Sequence, residues 1–185
     1  FLDLDNFKPL NDQHGHDYGD LLLKEVARRI RSCVREVDTV ARFGGDEFVV
    51  VLSELVADKT ASATQASMVA EKIRSALAAP YLLSIHNEGS VETSVEHHCT
   101  SSIGAVLFGK QESSASDILK WADLAMYQAK AAGRNTARFF DPAMQEVISQ
   151  RAVLQRELQK ASSEQQFVLH YQMQCDQHGR VTGAE

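Results

Sequence analysis

Two aspartates stand where they could bind a divalent metal. Asp3 lies in the alternating apolar and acidic segment 1–5, a pattern that predicts a short strand with its carboxylates on one face. Asp46 follows two glycines in Arg42-Phe-Gly-Gly-Asp-Glu-Phe48, which predicts a tight hairpin. If the two strands are neighbours, both carboxylates and a backbone carbonyl would form an oxygen-rich site suited to Mg²⁺. The alternative is a solvated turn with surface acids.

Three cations are candidates for binding phosphate. Lys8 follows the first strand, and Lys130 and Arg134 lie at the end of a predicted helix. Phosphates in an acidic protein need local positive charge, which Lys supplies as a point charge and Arg as a fork of donors. Lys130 is also explained by the favourable interaction of a cation with a helix C-terminus.

Two polar segments could recognise a purine ring. The segment from Asn11 to Asp20 contains an amide and a carboxylate that together match the polar edge of guanine. The segment Arg35-Glu-Val-Asp38 has an Arg and an Asp three residues apart, which could clamp a second guanine or a phosphate. The alternatives are a turn with helix caps for the first segment and a weak surface ion pair for the second.

Hydrophobic periodicity defines the elements that must position these groups. It predicts helices at 17–34, 61–79 and 116–132, and strands at 1–5, 39–43, 47–52, 81–85, 95–108 and 136–140. The polar segments 6–19 and 86–93 are expected to be loops. Strands that alternate with helices indicate an α/β or α+β domain at residues 1–140.

The remaining residues predict a linker and the start of another domain. Asp141-Pro142 begins a predicted linker helix at 141–162, because proline is favoured in the first turn of a helix. Residues 163–185 are expected to open a further domain, with strands at 167–172 and from Val181 onward.

Composition limits the class of protein. The chain has 185 residues and a formal net charge of −6, which argues against a general binder of nucleic acid or acidic membranes. Three separated cysteines fit a reducing cytoplasm, and no apolar run reaches the roughly 18–20 residues of a membrane span. Because the chain begins at Phe1, inside a strand pattern, it is interpreted as a fragment. Its parent could carry an upstream sensor or an inner-membrane anchor.

Residues 1–140 resemble the GGDEF family of diguanylate cyclases. The matching motifs occur in register, at Phe1 to Lys8, Asn11-Asp12, Gly15 to Asp20, Arg42 to Phe48, Ser102-Ile-Gly104 and Ala122 to Asn135. The resemblance implies an α+β fold (an α/β sandwich), in which a central, mostly antiparallel sheet is flanked by helices. This fold is related to the palm of polymerases and to class III nucleotidyl cyclases.

The same resemblance implies a reaction. Two GTP molecules would condense to cyclic di-GMP with release of two pyrophosphates. The reaction would depend on Mg²⁺ (or Mn²⁺) and on a homodimer in which each subunit holds one GTP. No nucleic acid partner is expected.

Residue roles carry over position by position as implications of the resemblance. The metal ligands would be Asp3, Asp46 and the carbonyl of Leu4. The catalytic residues would be Asp46, which accepts the proton of the 3′-hydroxyl, Glu47 and Lys8. The phosphates would contact the amides of Asn6 and Phe7 and the side chains of Lys8, Lys130 and Arg134. Asn11 and Asp20 would read guanine, and Gly44 and Gly45 would let the backbone approach the nucleotide. Arg35, Asp38 and Arg42 would form the RxxD site for inhibition by the product.

A second resemblance concerns the C-terminal residues. Residues 163–185 resemble the opening of an EAL phosphodiesterase domain, so the parent is expected to be a tandem GGDEF–EAL protein. The helix that normally precedes the first GGDEF strand is absent from the sequence. One alternative function is a regulatory module that binds GTP or cyclic di-GMP and controls the attached phosphodiesterase. The intact Gly-Gly-Asp-Glu segment favours the cyclase.

Overall fold

The structure, a computed structural model, describes residues 1–56, 58–85, 93–109, 114–142, 157–164, 166–168 and 170–184. Backbone contacts divide the chain into two units, Phe1–Met144 and Gln145–Glu185. The first unit contains every residue for which a site role is predicted. No helix within the described ranges is both long and apolar enough to cross a membrane.

The first unit is built on a five-stranded sheet. The strands of the first unit, five in this sheet and two outside it, are β1 (Leu2–Asp5), β2 (Thr39–Gly44), β3 (Glu47–Val51), β4 (Tyr81–Ile85), β5 (Thr93–His97), β6 (Thr100–Ala105) and β7 (Ala137–Phe139). Its helices are α1 (Phe7–His14), α2 (His16–Cys33), α3 (Lys59–Ala78) and α4 (Ala115–Ala131). The sheet order is β2-β3-β1-β6-β7, and every pairing except β6–β7 is antiparallel, while β4 and β5 form a separate ribbon. The predicted α+β fold with a mostly antiparallel central sheet is confirmed.

The alternation along β1 decides what lies on each face of the sheet. Leu2 and Leu4 belong to the buried core, together with residues of α2 and α3. Because successive side chains of a strand point to opposite faces, Asp3 and Asp5 lie on the other face. Helix α4 covers that face so closely that a Cβ on Gly104 would lie 2.0 Å from the carbonyl oxygen of Ala122. The acidic side of β1 therefore lies beneath α4 and its cations.

The loop expected at residues 6–19 is wrong, because residues 7–14 form α1. Pro9 is the third residue of this helix, where a missing N–H is tolerated since the first N–H groups have no acceptor within the helix. Asn6 has a φ of 64°, a left-handed conformation that Asn adopts more readily than most residues, and it turns the chain from β1 directly into α1. Gly15, with a φ of 89°, ends α1 and lets α2 begin at the next residue.

The single long strand expected at residues 95–108 is also wrong. The chain forms β5 and β6 with a break between them, and β5 pairs with β4 while β6 pairs with β1 and β7. The reason is the shortness of β1. Thr100, the first residue of β6, already lies opposite Asp5, the last residue of β1, so the residues before Thr100 pair elsewhere.

The second unit contains an antiparallel hairpin of β8 (Met173–Cys175) and β9 (Val181–Ala184). Its turn is closed by Asp176, whose carboxylate accepts hydrogen bonds from the N–H groups of His178 and Arg180. Residues 157–163 are helical, and residues 143–156, the centre of the linker helix predicted at 141–162, lie outside the described residues.

The strand predicted at residues 167–172 is wrong, since the described part of this range is irregular. Met173 pairs with Ala184 in the observed register. If this register continued, the antiparallel partners of residues 167–171 would have numbers above 185, and a strand needs a partner for its backbone hydrogen bonds.

Candidate active site

The β2–β3 hairpin presents two acids at a tight turn. Gly44 pairs with Glu47, so Gly45 and Asp46 form the turn, and Gly45 has a φ of 49° that favours glycine. The Arg42 guanidinium donates a hydrogen bond from Nε to the Gly45 carbonyl at 2.9 Å, which fixes the turn from the β2 side. A Cβ on Gly44 would meet no protein atom within 4 Å. The backbone at Gly44 therefore borders open space that a ligand could fill.

The hairpin turn lies directly beside β1. The Leu4 N–H donates a hydrogen bond to the Asp46 carbonyl at 3.3 Å, and Asp3 and Glu47 are cross-strand partners. The two strands that carry the predicted metal ligands are thus neighbours. The residue directly opposite Asp3 is Glu47, one position after Asp46.

The carboxylates of this cluster perturb one another. Burial raises the pKa of Asp3, a hydrogen bond from Lys130 lowers it, and the negative charges of Asp46 and Asp5 raise it. Burial also raises the pKa of Glu47, and the charges of Asp3, Asp123 and Asp46 raise it further. Mutual repulsion of this kind is relieved by a bound cation.

The donor set fits a hard divalent cation. Carboxylate and backbone oxygens are the ligands that Mg²⁺ and Mn²⁺ prefer, and the open space at Gly44 leaves room for phosphate oxygens to complete the coordination. Among the described residues no three His, Cys, Asp or Glu side chains are already arranged around one metal position. An oxygen of Asp3 instead forms an ion pair with Lys130 Nζ at 2.8 Å.

Asp5 was not among the predicted site residues, yet its hydrogen bonds hold together the segments that surround the site. It is 3% exposed, and its carboxylate accepts hydrogen bonds from Thr100 Oγ1 at 2.6 Å, Ser102 Oγ at 2.8 Å and the Asn135 N–H at 3.1 Å. The last bond ties β1 to the connection between α4 and β7. The alternation of residues 1–5 predicts that Asp5 lies on the same face as Asp3. It does not predict which residues donate hydrogen bonds to Asp5.

The cations of α4 enter the site from the other side. Lys130 lies in the last turn of α4, and Arg134 follows in a left-handed conformation with a φ of 64°. Arg134 Nε is 4.0 Å from Asp5, and its side chain is 58% exposed. Asp123, also missed by the sequence analysis, is seven residues before Lys130. Two sequence signals bear on it, namely this spacing of about two turns and its place in the family-like segment Ala122 to Asn135.

Lys8 and the amides of Asn6 and Phe7 surround the start of α1. Lys8 is exposed in the first turn of the helix, where N–H groups have no acceptor within the helix. The start of α1 directly follows β1, so it lies at the same end of this strand as Asp5.

Asn11 packs against a glycine of the next helix. A Cβ on Gly19 would lie 2.0 Å from Asn11 Oδ1, and this buried oxygen has no hydrogen-bond partner among the described residues. Asp20 is exposed on α2 and lines a shallow cleft of about 300 Å³ with Lys24 and Ser84. A buried amide oxygen without a partner calls for an explanation, and a donor on a ligand would be one.

The structure separates the roles of Arg35 and Asp38. Asp38 is 6% exposed, and its carboxylate accepts hydrogen bonds from the N–H groups of Arg35 at 2.8 Å and Ser53 at 2.9 Å. Arg35 is exposed and lines a cleft of about 320 Å³ that also includes Lys72 and Met68. The residues that line this cleft do not include Arg42.

Comparison with known proteins points to one family. The family described as diguanylate cyclase, GGDEF domain, matches residues 1–136. The bifunctional diguanylate cyclase/cyclic di-GMP phosphodiesterase MucR of Pseudomonas aeruginosa is 40% identical over 172 residues, which is 93% of this chain and 23% of MucR. The cyclic di-GMP phosphodiesterase NbdA of the same organism is 39% identical over 172 residues, which is 93% of this chain and 20% of NbdA.

The fold agrees as well. The crystal structure of the GGDEF domain of YfiN (TpbB) from Pseudomonas aeruginosa superposes with a TM-score of 0.63 at 37% identity, over 76% of this chain and 79% of that one. The chain spans about a fifth of the length of the two curated relatives. The family match covers most of the chain, from β1 to the end of α4 and beyond. This chain therefore belongs to the GGDEF family of diguanylate cyclase domains.

Proposed function

We propose that residues 1–140 form a diguanylate cyclase domain that condenses two GTP molecules into cyclic di-GMP and releases two pyrophosphates. The observation that carries the proposal is that three acidic and two cationic side chains lie at the same end of the sheet. Asp3, Asp46 and Glu47 lie together at one end of the sheet, and Lys130 and Arg134 reach the same end from α4. Acids that bind a metal beside cations that bind phosphates are what nucleotidyl transfer requires.

The acids have distinct proposed roles. The carboxylates of Asp3 and Asp46, with the carbonyl of Leu4, would hold Mg²⁺ or Mn²⁺. The ion, when bound, would neutralise charge that develops on the phosphates. Asp46 would also accept the proton of the attacking 3′-hydroxyl, since it lies at the hairpin turn beside the open space at Gly44. Glu47 would support the metal and phosphate positions.

The phosphates would be held from two directions. The N–H groups of Asn6, directly before α1, and of Phe7, its first residue, offer donors from one side together with the exposed Lys8. Lys130 and Arg134 offer donors from α4. Positive charge from both sides would orient the α-phosphate for in-line attack.

The guanine would be read between α1 and α2. Asn11 Oδ1 is buried without a partner in the described structure, and the absence of a side chain at Gly19 makes room for it. Asp20, exposed on α2, would accept hydrogen bonds from the guanine N1–H and N2–H₂ groups. Gly44 and Gly45 would let the backbone lie against the nucleotide.

The reaction would take place between two copies of the domain. Each site holds one GTP, and cyclic di-GMP contains two guanylates, so the 3′-hydroxyl of one bound GTP must face the α-phosphate of the other. A homodimer is therefore proposed as the active form. The domain is proposed to act in the cytoplasm, where GTP is available, and its parent could be anchored through other segments.

Product inhibition is proposed at the cleft beside α2. Arg35 is exposed there with Lys72 close by, and the cleft volume of about 320 Å³ could take a guanine base. The Asp38 carboxylate accepts hydrogen bonds from the N–H groups of Arg35 and Ser53, so it would hold the Arg35 backbone in place. It would also contact the ligand. Arg42 is proposed as a further contact from the hairpin.

The test of the cyclase is product formation. The full-length protein with GTP and Mg²⁺ should form cyclic di-GMP, measured by chromatography, and Asp46→Asn should lower kcat by at least about 100-fold. Glu36→Gln is a matched control, since Glu36 is an exposed acid in the α2–β2 connection. Equal turnover by Asp46→Asn and Glu36→Gln would contradict the assignment.

A second candidate is a regulatory module. A specific observation favours it, because a relative that is 39% identical is named a cyclic di-GMP phosphodiesterase. Residues 163–185, which resemble the opening of an EAL domain, are proposed to continue into such a phosphodiesterase in the parent, after a linker at 141–162. The full-length protein would then make no cyclic di-GMP, and GTP would stimulate its phosphodiesterase activity. Measurement of both activities in one preparation separates the two functions.

A further inference from the structure

An ion pair occupies the position where the metal is expected. Lys130 Nζ lies 2.8 Å from Asp3 Oδ2, and the two side chains are 31% and 12% exposed. This is a short, charge-assisted contact at the edge of the buried region. The same Asp3 carboxylate belongs to the acidic cluster that fits a divalent cation.

The environment of Asp3 explains why it holds an ammonium group. Asp3 is buried, it lies opposite Glu47 across the sheet, and Asp46 and Asp5 add negative charge. A buried carboxylate among like charges is costly unless a positive charge compensates it. Lys130 is the cation that bonds to it in this structure.

The backbone of Lys130 is fixed, but its ammonium group is not. Helix α4 is held against β6 by the close contact at Gly104, and the connection after α4 is held by the bond from the Asn135 N–H to Asp5. The Lys side chain has four methylene groups and three rotatable donors, so its ammonium can exchange partners without movement of the helix.

We propose that Lys130 is the resident counter-cation of Asp3, and that metal and triphosphate bind together by cation exchange. The metal takes the Asp3 oxygen that Lys130 releases, and the released ammonium bonds to the triphosphate. The inference rests on the proposed function only in naming a triphosphate as the ligand that receives Lys130.

A thermodynamic consequence follows from the exchange. Metal alone must displace Lys130 and leave its ammonium without a carboxylate partner, so metal alone binds weakly. A triphosphate gives that ammonium a new partner, so each ligand strengthens binding of the other by the same factor. The site would then bind metal tightly only when nucleotide is present.

The decisive measurement is binding of Mn²⁺ to the full chain without nucleotide. Free Mn²⁺ can be followed by its electron paramagnetic resonance signal. Lys130→Met should bind Mn²⁺ at least about 5-fold more tightly than the wild type, because the competing ammonium is gone. Lys120→Met is the matched control, since Lys120 is an exposed lysine on the same helix, ten residues away. Asp3→Asn should remove the binding.

Two further variants guard the interpretation. Lys130→Arg keeps a cation at Asp3 and should bind Mn²⁺ as weakly as the wild type. Lys130→Gln removes the charge but keeps a hydrogen-bond donor, so it should also bind Mn²⁺ more tightly than the wild type. It serves as the test if Lys130→Met fails to fold. Circular dichroism of each variant checks the fold. The proposal would be overturned if Lys130→Met and Lys130→Gln bound Mn²⁺ no more tightly than Lys120→Met.

The outcome is separable from that of the cyclase assay. A protein that binds Mn²⁺ in this pattern and forms no cyclic di-GMP contradicts the proposed function and leaves the exchange standing. A working cyclase whose Lys130→Met variant gains no Mn²⁺ affinity supports the function and overturns the exchange.

Discussion

Asp3 and Asp5 are two residues apart on the same face of β1, but their surroundings differ. Asp5 accepts three hydrogen bonds from protein donors and is almost completely buried. Asp3 has one ammonium partner and three acidic residues nearby. The Asp5 carboxylate, with all three of its donors in the protein, stabilises the fold. The Asp3 carboxylate, which lies among like charges, is the one available to a cation.

Asp5→Asn tests the structural role. The amide cannot accept from all three donors, and its own NH₂ group would face the hydroxyl groups and the Asn135 N–H. We expect a loss of about 2–4 kcal/mol in the free energy of unfolding, measured by urea denaturation. Glu36→Gln, at an exposed position, should change it by less than about 0.5 kcal/mol. A loss no larger than that of the control would show that Asp5 does not hold the α4–β7 connection.

Glu47→Gln tests the repulsion within the acidic cluster. The folded pKa of Glu47 is raised above its ordinary value of 4.5, so ionised Glu47 destabilises the metal-free fold, and this cost appears as the pH rises through that region. Removal of the charge should stabilise the metal-free protein at pH 7 by about 0.2–1 kcal/mol, the usual scale of the interaction between side chains directly opposite on neighbouring strands. The gain should fade below pH 4, where Glu47 is protonated in both states. A gain independent of pH would point to a cause other than charge.

Glycines set the approach of whole elements to one another. At Gly104 a Cβ would lie 2.0 Å from the Ala122 carbonyl oxygen and 2.3 Å from the Met126 N atom, so α4 rests directly on the β6 backbone. At Gly44 a Cβ would meet no protein atom within 4 Å, and the φ of Gly44 is not positive. The first glycine is required by the fold, and the second borders the space proposed for the nucleotide.

Gly104→Ala and Gly44→Ala should therefore fail in different ways. Gly104→Ala forces α4 away from β6, and we expect a loss of at least about 2 kcal/mol in the free energy of unfolding. Gly44→Ala should leave that free energy within about 0.5 kcal/mol of the wild type and raise the KM for GTP at least 10-fold, an order-of-magnitude expectation for a blocked contact. Thermal unfolding and cyclase kinetics of both variants provide the measurements. Normal GTP kinetics in Gly44→Ala would show that the nucleotide does not lie against this glycine.

At the scale of the whole domain, β2 connects the two proposed ligand sites. The acidic cluster lies at the hairpin turn after β2, and the Arg35 and Asp38 cleft lies before its first residue. Six strand residues span about 20 Å, so the two sites are at opposite ends of one strand. A product bound at the cleft could act on the active site through this strand or through a second copy of the domain.

Arg35→Ala and Asp38→Ala separate ligand binding from structure at the cleft. Arg35→Ala should keep the free energy of unfolding within about 0.5 kcal/mol and raise the cyclic di-GMP concentration needed for half-inhibition about 10-fold. Asp38→Ala should in addition cost about 2 kcal/mol of stability, because two partly buried N–H groups lose their acceptor. Inhibition curves and urea denaturation of both variants give the result. Unchanged inhibition in Arg35→Ala would place the product elsewhere.

The sequence predicted the sheet and the composition of the hairpin because these depend on local patterns. Alternation in residues 1–5 and paired glycines before Asp46 are short-range signals for strands and a tight turn. The errors also have local causes. Pro9 and a run of polar residues suggested a loop, although the first turn of a helix tolerates proline. The strand-like pattern at 95–108 gave no sign that β1 is too short to pair with all of it.

By itself the sequence determined which chemical groups this protein has and the family to which it belongs. Only the tertiary structure decided which of these groups meet. It placed Glu47 opposite Asp3, brought Asp123 into the same electrostatic environment, buried Asp38 against two N–H groups and set Lys130 on Asp3. The physical reason is that a contact between residues 127 positions apart depends on strand order, helix packing and charge compensation. None of these is encoded in a local window of sequence.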